Sequence, residues 1–178
     1  MLFEKLFRPR AARVAGQILY EAAVSQARQP ALYLDLAVPD TIEGRFELHN
    51  IHVLLLLHRL KGQGPAATEA AQSLFDTYVG DLDGALREMG VGDLTVPKRM
   101  RKLGEAFYGR TKAYDAALAE SAEADGLERL IARTLYDEAQ DAPVDRMADY
   151  VRRQAAALAA QPLDDILAGR PAWATVVP

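Results

Sequence analysis

The sequence contains no cysteine. That absence removes disulfides, thiolate nucleophiles and cysteine-bound metals together, and leaves nothing that points to an oxidising compartment. Long apolar runs are lacking as well. The densest, from Ile51 to Leu60, is interrupted by His52, His58 and Arg59 and falls far short of the ~20 residues that a spanning helix needs. The N-terminus places Phe3, Leu6 and Phe7 among Lys5, Arg8, Arg10 and Arg13. It has neither the continuous apolar stretch nor the small-residue cleavage site of a signal peptide, so secretion is not expected. Phosphate-binding loops are missing too. Gly62-Gln63-Gly64-Pro65 is not followed by Gly-Lys-Ser/Thr, and Gly90-Val91-Gly92-Asp93 follows no strand pattern, so both read as turns.

What is present is ordinary globular material. The chain has 178 residues, half of them hydrophobic and about a quarter charged, enough to bury roughly 70% of the surface the unfolded chain exposes. The net charge of -4 is unevenly spread: residues 1–13 carry +3, 14–96 carry -6, 97–112 carry +5 and 113–178 carry -6. Two basic patches on an acidic body can meet anionic lipid or nucleic acid, but the overall sign argues against a dedicated DNA binder.

Apolar residues recur with helical period, as in Val14, Ile18, Ala22 and in Phe46, Asn50, Val53, Leu57, and no stretch alternates as a strand would. Turn signals divide the chain into about seven helices, at 11–28, 41–61, 67–89, 96–119, 126–139, 144–160 and 163–168. The expected fold is all-α, one compact multi-helix bundle. It comprises a basic amphipathic segment at 1–13, a helical domain at 14–168, and a tail at 169–178 whose order depends on Trp173 docking. Asp40 with Glu43 fits a capping pattern, Thr95 stands before Val96-Pro97 as a second cap, and Gly62 and Gly90 fit helix stops.

The helix containing Ile51 to Leu60 is apolar nearly all round and is expected at the centre of the bundle. On its first half Thr41, Arg45, His49 and His52 share a stripe. Buried polar groups need partners, so Arg45, Glu47, His49, His52 and Asp93 are read as a structural polar cluster. A zinc site on His49 and His52 fails for want of a third ligand, since nine residues of helix turn His58 away from His49. No metal, no cofactor and no catalytic residue are expected, and the protein is read as a non-enzyme. Lys98, Arg99, Arg101 and Lys102 open a helix where its dipole is already positive, which calls for a compensating partner such as Asp93 or an anionic surface.

Tyr33-Leu34-Asp35-Leu36-Ala37-Val38-Pro39-Asp40-Thr41-Ile42-Glu43-Gly44-Arg45-Phe46-Glu47-Leu48-His49 with His52 resembles the signature block of the ubiquinol-cytochrome c chaperone family. So do Asp81-Leu82-Asp83, the run from Leu86 to Leu94, Val96-Pro97-Lys98, and Phe107-Tyr108-Gly109-Arg110 with Tyr114. The likeness covers about residues 14–120. It implies a helical assembly factor of the cytochrome bc1 complex, respiratory complex III. The family's mitochondrial members help newly made cytochrome b mature, working with a small partner protein near the ribosomal exit. Lacking a long organelle-targeting extension, this chain resembles the bacterial branch. The expected partner is cytochrome b, with ribosome proximity and peripheral contact at the cytoplasmic face of the inner membrane as further expectations. A groove with an apolar, aromatic lining and a basic rim would suit such a client. The candidates are Tyr33, Phe46, Lys98, Arg101, Tyr108, Arg110 and Tyr114. The alternatives are an RNA- or ribosome-binding helical module using Lys98 to Lys102, and a small-molecule enzyme in which Arg45, His49 and His52 converge in a pocket.

Overall fold

A computed structural model describes residues 2–119 and 123–176, with side chains from Val14 onward. The reading of residues 1–13 as a basic amphipathic segment therefore falls outside the described side chains. The described residues form eight helices and no strand: α1 (Leu2–Ala27), α2 (Pro30–Leu34), α3 (Ile42–Leu60), α4 (Pro65–Glu88), α5 (Val96–Ala117), α6 (Gly126–Leu135), α7 (Val144–Ala160) and α8 (Leu163–Leu167).

The all-helical reading holds, with three corrections to its elements. Between the expected helices at 11–28 and 41–61 lies a further short one, α2, which Pro30 opens with its fixed φ. α1 starts at Leu2 rather than at 11. α6 stops at Leu135 instead of 139, because Asp137 and Glu138 adopt left-handed backbone angles that no helix continues through.

α3 is the central element. Leu48, Ile51, Val53, Leu54, Leu55, Leu56 and Leu60 are all buried, and α1, α4, α5, α6 and α7 pack around them. Thr41 caps its start by accepting a hydrogen bond from the Gly44 backbone N–H at 3.1 Å. The cap is thus Thr41 rather than Asp40, which instead accepts from Arg45 Nε at 2.6 Å. Gly44 is required where it stands, since a Cβ there would meet the Pro39 carbonyl oxygen at 2.0 Å. The helix leaves through Lys61, and Gly62 takes up φ of 73° to turn the chain into α4. Thr95 does not cap α5 with its side chain. Its own backbone is helical, and its N–H closes a tight turn onto Gly92 O at 2.7 Å.

The C-terminal residues fold back on α7. Gln154 exchanges two hydrogen bonds with the backbone of Ala174, at 2.9 and 2.8 Å, and Gln161 exchanges two with Ala172, both at 2.7 Å. Arg153 donates to the carbonyls of Thr175 and Val176. Trp173, so held, lies edge-on to the His52 ring at 5.4 Å. Arg59 on α3 binds the carbonyls of Leu158 and Gln161, satisfying the free acceptors at the end of α7.

Candidate functional site

The polar residues of α3 divide by face. His52, fully buried, presents Nδ1 to Leu48 O at 2.7 Å and Nε2 to the Tyr150 hydroxyl at 2.7 Å, and Gln26 Nε2 donates to that hydroxyl at 3.1 Å. One tautomer serves all of it: Nδ1 donates to the carbonyl and Tyr150 donates to Nε2. Burial lowers the His52 pKa to about 4, which keeps the ring neutral. Asn50 accepts from Tyr78 OH at 2.6 Å. Glu47 takes a two-pronged ion pair from Arg110, at 2.8 and 2.5 Å. Burial pushes its carboxyl upward, with Arg110 pulling the other way.

His49 faces elsewhere. It lies edge-on between the rings of Tyr20 at 5.1 Å and Tyr78 at 5.7 Å, and burial lowers its pKa to about 4. Its Nε2 has no hydrogen-bond partner among the described residues. It contributes to the wall of an open groove of about 1070 Å³ between α1, α2, the start of α3 and the end of α4. Tyr20 also lines the groove and donates to Asp81 Oδ2 at 2.5 Å. Val24, Tyr33, Leu34, Ile42, Phe46 and Leu82 supply the apolar surface, while Arg28, Asp40 and Arg45 add charge. Leu34 is 81% exposed and Ile42 68%, an arrangement that leaves aliphatic surface open to water on both sides of Tyr33 and Phe46.

The expected residues are thus brought together only in part. Tyr33 and Phe46 meet in the groove, where the Tyr33 hydroxyl donates to Ala27 O at 3.0 Å. Tyr114 is 4% exposed and belongs to the core, so it offers no client surface. Arg110 is committed to Glu47. Lys98, Arg101 and Tyr108 lie on the exposed face of α5, and none of them lines the groove. The polar cluster is not one cluster either. Arg45, in the first turn of α3, projects beyond the packed body and pairs with Asp40 at the surface. Asp93 pairs with Arg87 rather than with the basic start of α5. Of the polar side chains on α3, Glu47, Asn50 and His52 are buried, each with its own partner, and His49 is half-buried. Tyr20, Arg28 and Asp81 were not anticipated, because residues on α1 and α4 reach the groove from far apart in sequence. Among the described residues no three acidic or histidine side chains converge on a metal position.

An all-helical bundle, with the buried polar residues of its central helix paired on one side and an open apolar groove on the other, is the class that fold and site define. The family model for "Ubiquinol-cytochrome C chaperone" matches residues 34–173. The chain belongs to that family. It is 24% identical over 172 residues to the ubiquinol-cytochrome-c reductase complex assembly factor 1 of Xenopus laevis, covering 93% of this chain and 83% of the frog protein. It is 27% identical over 176 residues to the Drosophila melanogaster protein of the same name, covering 90% and 64% of the two chains. The mouse counterpart, at 24% identity, is covered over 56% of its length. The crystal structure of the Cbp3 homolog from Brucella abortus superposes with a TM-score of 0.87 at 35% identity, covering 99% of this chain and 98% of that one. The family is one of assembly factors of the cytochrome bc1 complex.

Proposed function

We propose that this chain acts by binding rather than by catalysis. It holds newly made cytochrome b during assembly of the bc1 complex, with the groove between α1, α2, α3 and α4 as the client site. The observation that carries the reading is the groove's chemistry. Leu34 and Ile42 stand in water beside Tyr33 and Phe46, a costly arrangement for a free chain and a productive one for a partner whose apolar helix covers them. Family membership supplies the client class, since its relatives carry the name of assembly factors for this complex. No helix among the described residues is long and apolar enough to cross a membrane, which suits a factor that meets its client at the cytoplasmic face of the inner membrane.

The test is co-purification of the tagged chain from its native membrane extract. Cytochrome b is expected in the eluate, and Leu34→Asp and Phe46→Ala should each deplete it by tenfold or more, in keeping with the roughly 2 kcal/mol that truncating a central interface residue costs. Undiminished recovery from both folded variants would refute the groove as the client site.

A further inference from the structure

The outward face of α5 is a second surface, distinct from the groove. At 100° per residue Lys98, Arg101, Lys102, Tyr108 and Lys112 fall on one side of the helix, over a length of roughly 21 Å. Residues 97–112 hold six cations against the single acid Glu105, which lies 3.8 Å from Arg101. Among the described residues Lys98, Arg99 and Lys102 have no ion-pair partner, and Asp93, the acid nearest the helix start, is held by Arg87. Exposed aliphatic side chains precede this helix in the chain: Leu94, in the turn before α5, is 99% exposed, and Met89, at the end of α4, is 62% exposed. Tyr108 is 63% exposed, with Lys112 Nζ 4.6 Å from its ring centroid.

We infer that α5 and the turn before it form a contact surface for an anionic lipid bilayer. Leu94 and Met89 would enter the interface, Tyr108 would sit at headgroup depth, and the cations would meet lipid phosphates. Three features favour lipid over RNA. Fully exposed aliphatic side chains have little to offer a nucleic acid, whereas an interface takes them up. A straight line of cations matches a plane. The remaining chain is acidic, so a polyanion in solution is repelled on other sides, while a membrane is met by one face only. The inference stands whether or not the groove takes cytochrome b.

Flotation of the full chain with phosphatidylcholine vesicles, with and without phosphatidylglycerol, tests it. Binding should require phosphatidylglycerol and weaken as salt is added. The triple variant K98E/R101E/K102E should bind roughly a hundredfold more weakly, at about 1 kcal/mol for each cation near the surface. Leu94→Asp, at a position whose exposure leaves the fold untouched, should lose roughly tenfold. The variant K5E/R8E, at the other basic segment, should keep most of the binding. The assignment is overturned if the chain ignores phosphatidylglycerol, if the folded triple variant floats like the parent, if K5E/R8E alone abolishes flotation, or if the chain binds single-stranded RNA but no vesicle.

Discussion

His49 and His52 sit three residues apart on one helix, and burial holds both neutral, with pKa values of about 4. Their surroundings differ. His52 has both ring nitrogens engaged and Trp173 against its ring, whereas His49 leaves Nε2 without a partner at the edge of a groove. That atom stands beside exposed Leu34 and Ile42 on the groove side of α3, the side proposed for binding. The side away from the groove is closed, and its Glu47, Asn50 and His52 each have a partner.

The strongest way to probe this contrast is acid, because it loads both rings at once. A folded pKa near 4 against about 6.5 in the unfolded chain means that below pH 6.5 the unfolded state takes up protons that the native state refuses. Stability should be full above about pH 6.5 and fall steadily as the pH drops toward 4, by more than any single substitution below. Urea melts at stepped pH would measure it, and His52→Leu should flatten the slope. Glu47 acts in the opposite sense, because its raised pKa lets the native state accept a proton first.

Arg110→Ala attacks the closed side directly. Removing the guanidinium leaves Glu47 buried without its counter-charge, at a cost of about 3 kcal/mol. Denaturant midpoints would show it, and an Arg110→Ala protein as stable as the parent would deny that the closed side depends on this pair. His52→Leu should cost less, about 2 kcal/mol, because the Tyr150 hydroxyl loses its acceptor while Gln26 still donates to it. The smallest stability effect belongs to the open side. His49→Leu breaks no hydrogen bond, so the melting temperature should hardly move, while affinity for a cytochrome b segment, followed by titration calorimetry, should drop roughly fivefold. If His49→Leu instead destabilises the protein as much as His52→Leu, the two sides of α3 are alike and the contrast fails.

Much of this fold was legible in the sequence because helix periods and turn residues are local signals. α3, α4, α5 and α7 fall within a few residues of where apolar spacing and turn residues such as Gly62 and Gly90 set them. The site was legible only in part. Tyr33 and Phe46, which line the groove, were singled out through the family block that contains them. The polar stripe placed Arg45 with His49 and His52 by angle alone, and angle says nothing about where a helix emerges from the packed body. Tyr114 shows the same limit, since an aromatic residue at helical spacing suits a core as well as an interface. The pairs Glu47 with Arg110 and Tyr20 with Asp81 join residues more than sixty positions apart, which no periodicity reports. Gln26, Asn50 and Gln154, polar residues at core positions of amphipathic helices, were the available hint that buried partners awaited them.

The strap that Gln154, Gln161 and Arg153 place on residues 172–176 has a consequence for the order in which the molecule is completed. All six of these bonds reach main-chain atoms of the segment, so the strap depends little on which side chains the segment carries, but strongly on its being there. Residues 172–176 follow every described helix in the chain, so one side of the His52 ring stays uncovered until they dock. A few extended residues that follow all the described helices thus close the fold and act as a latch.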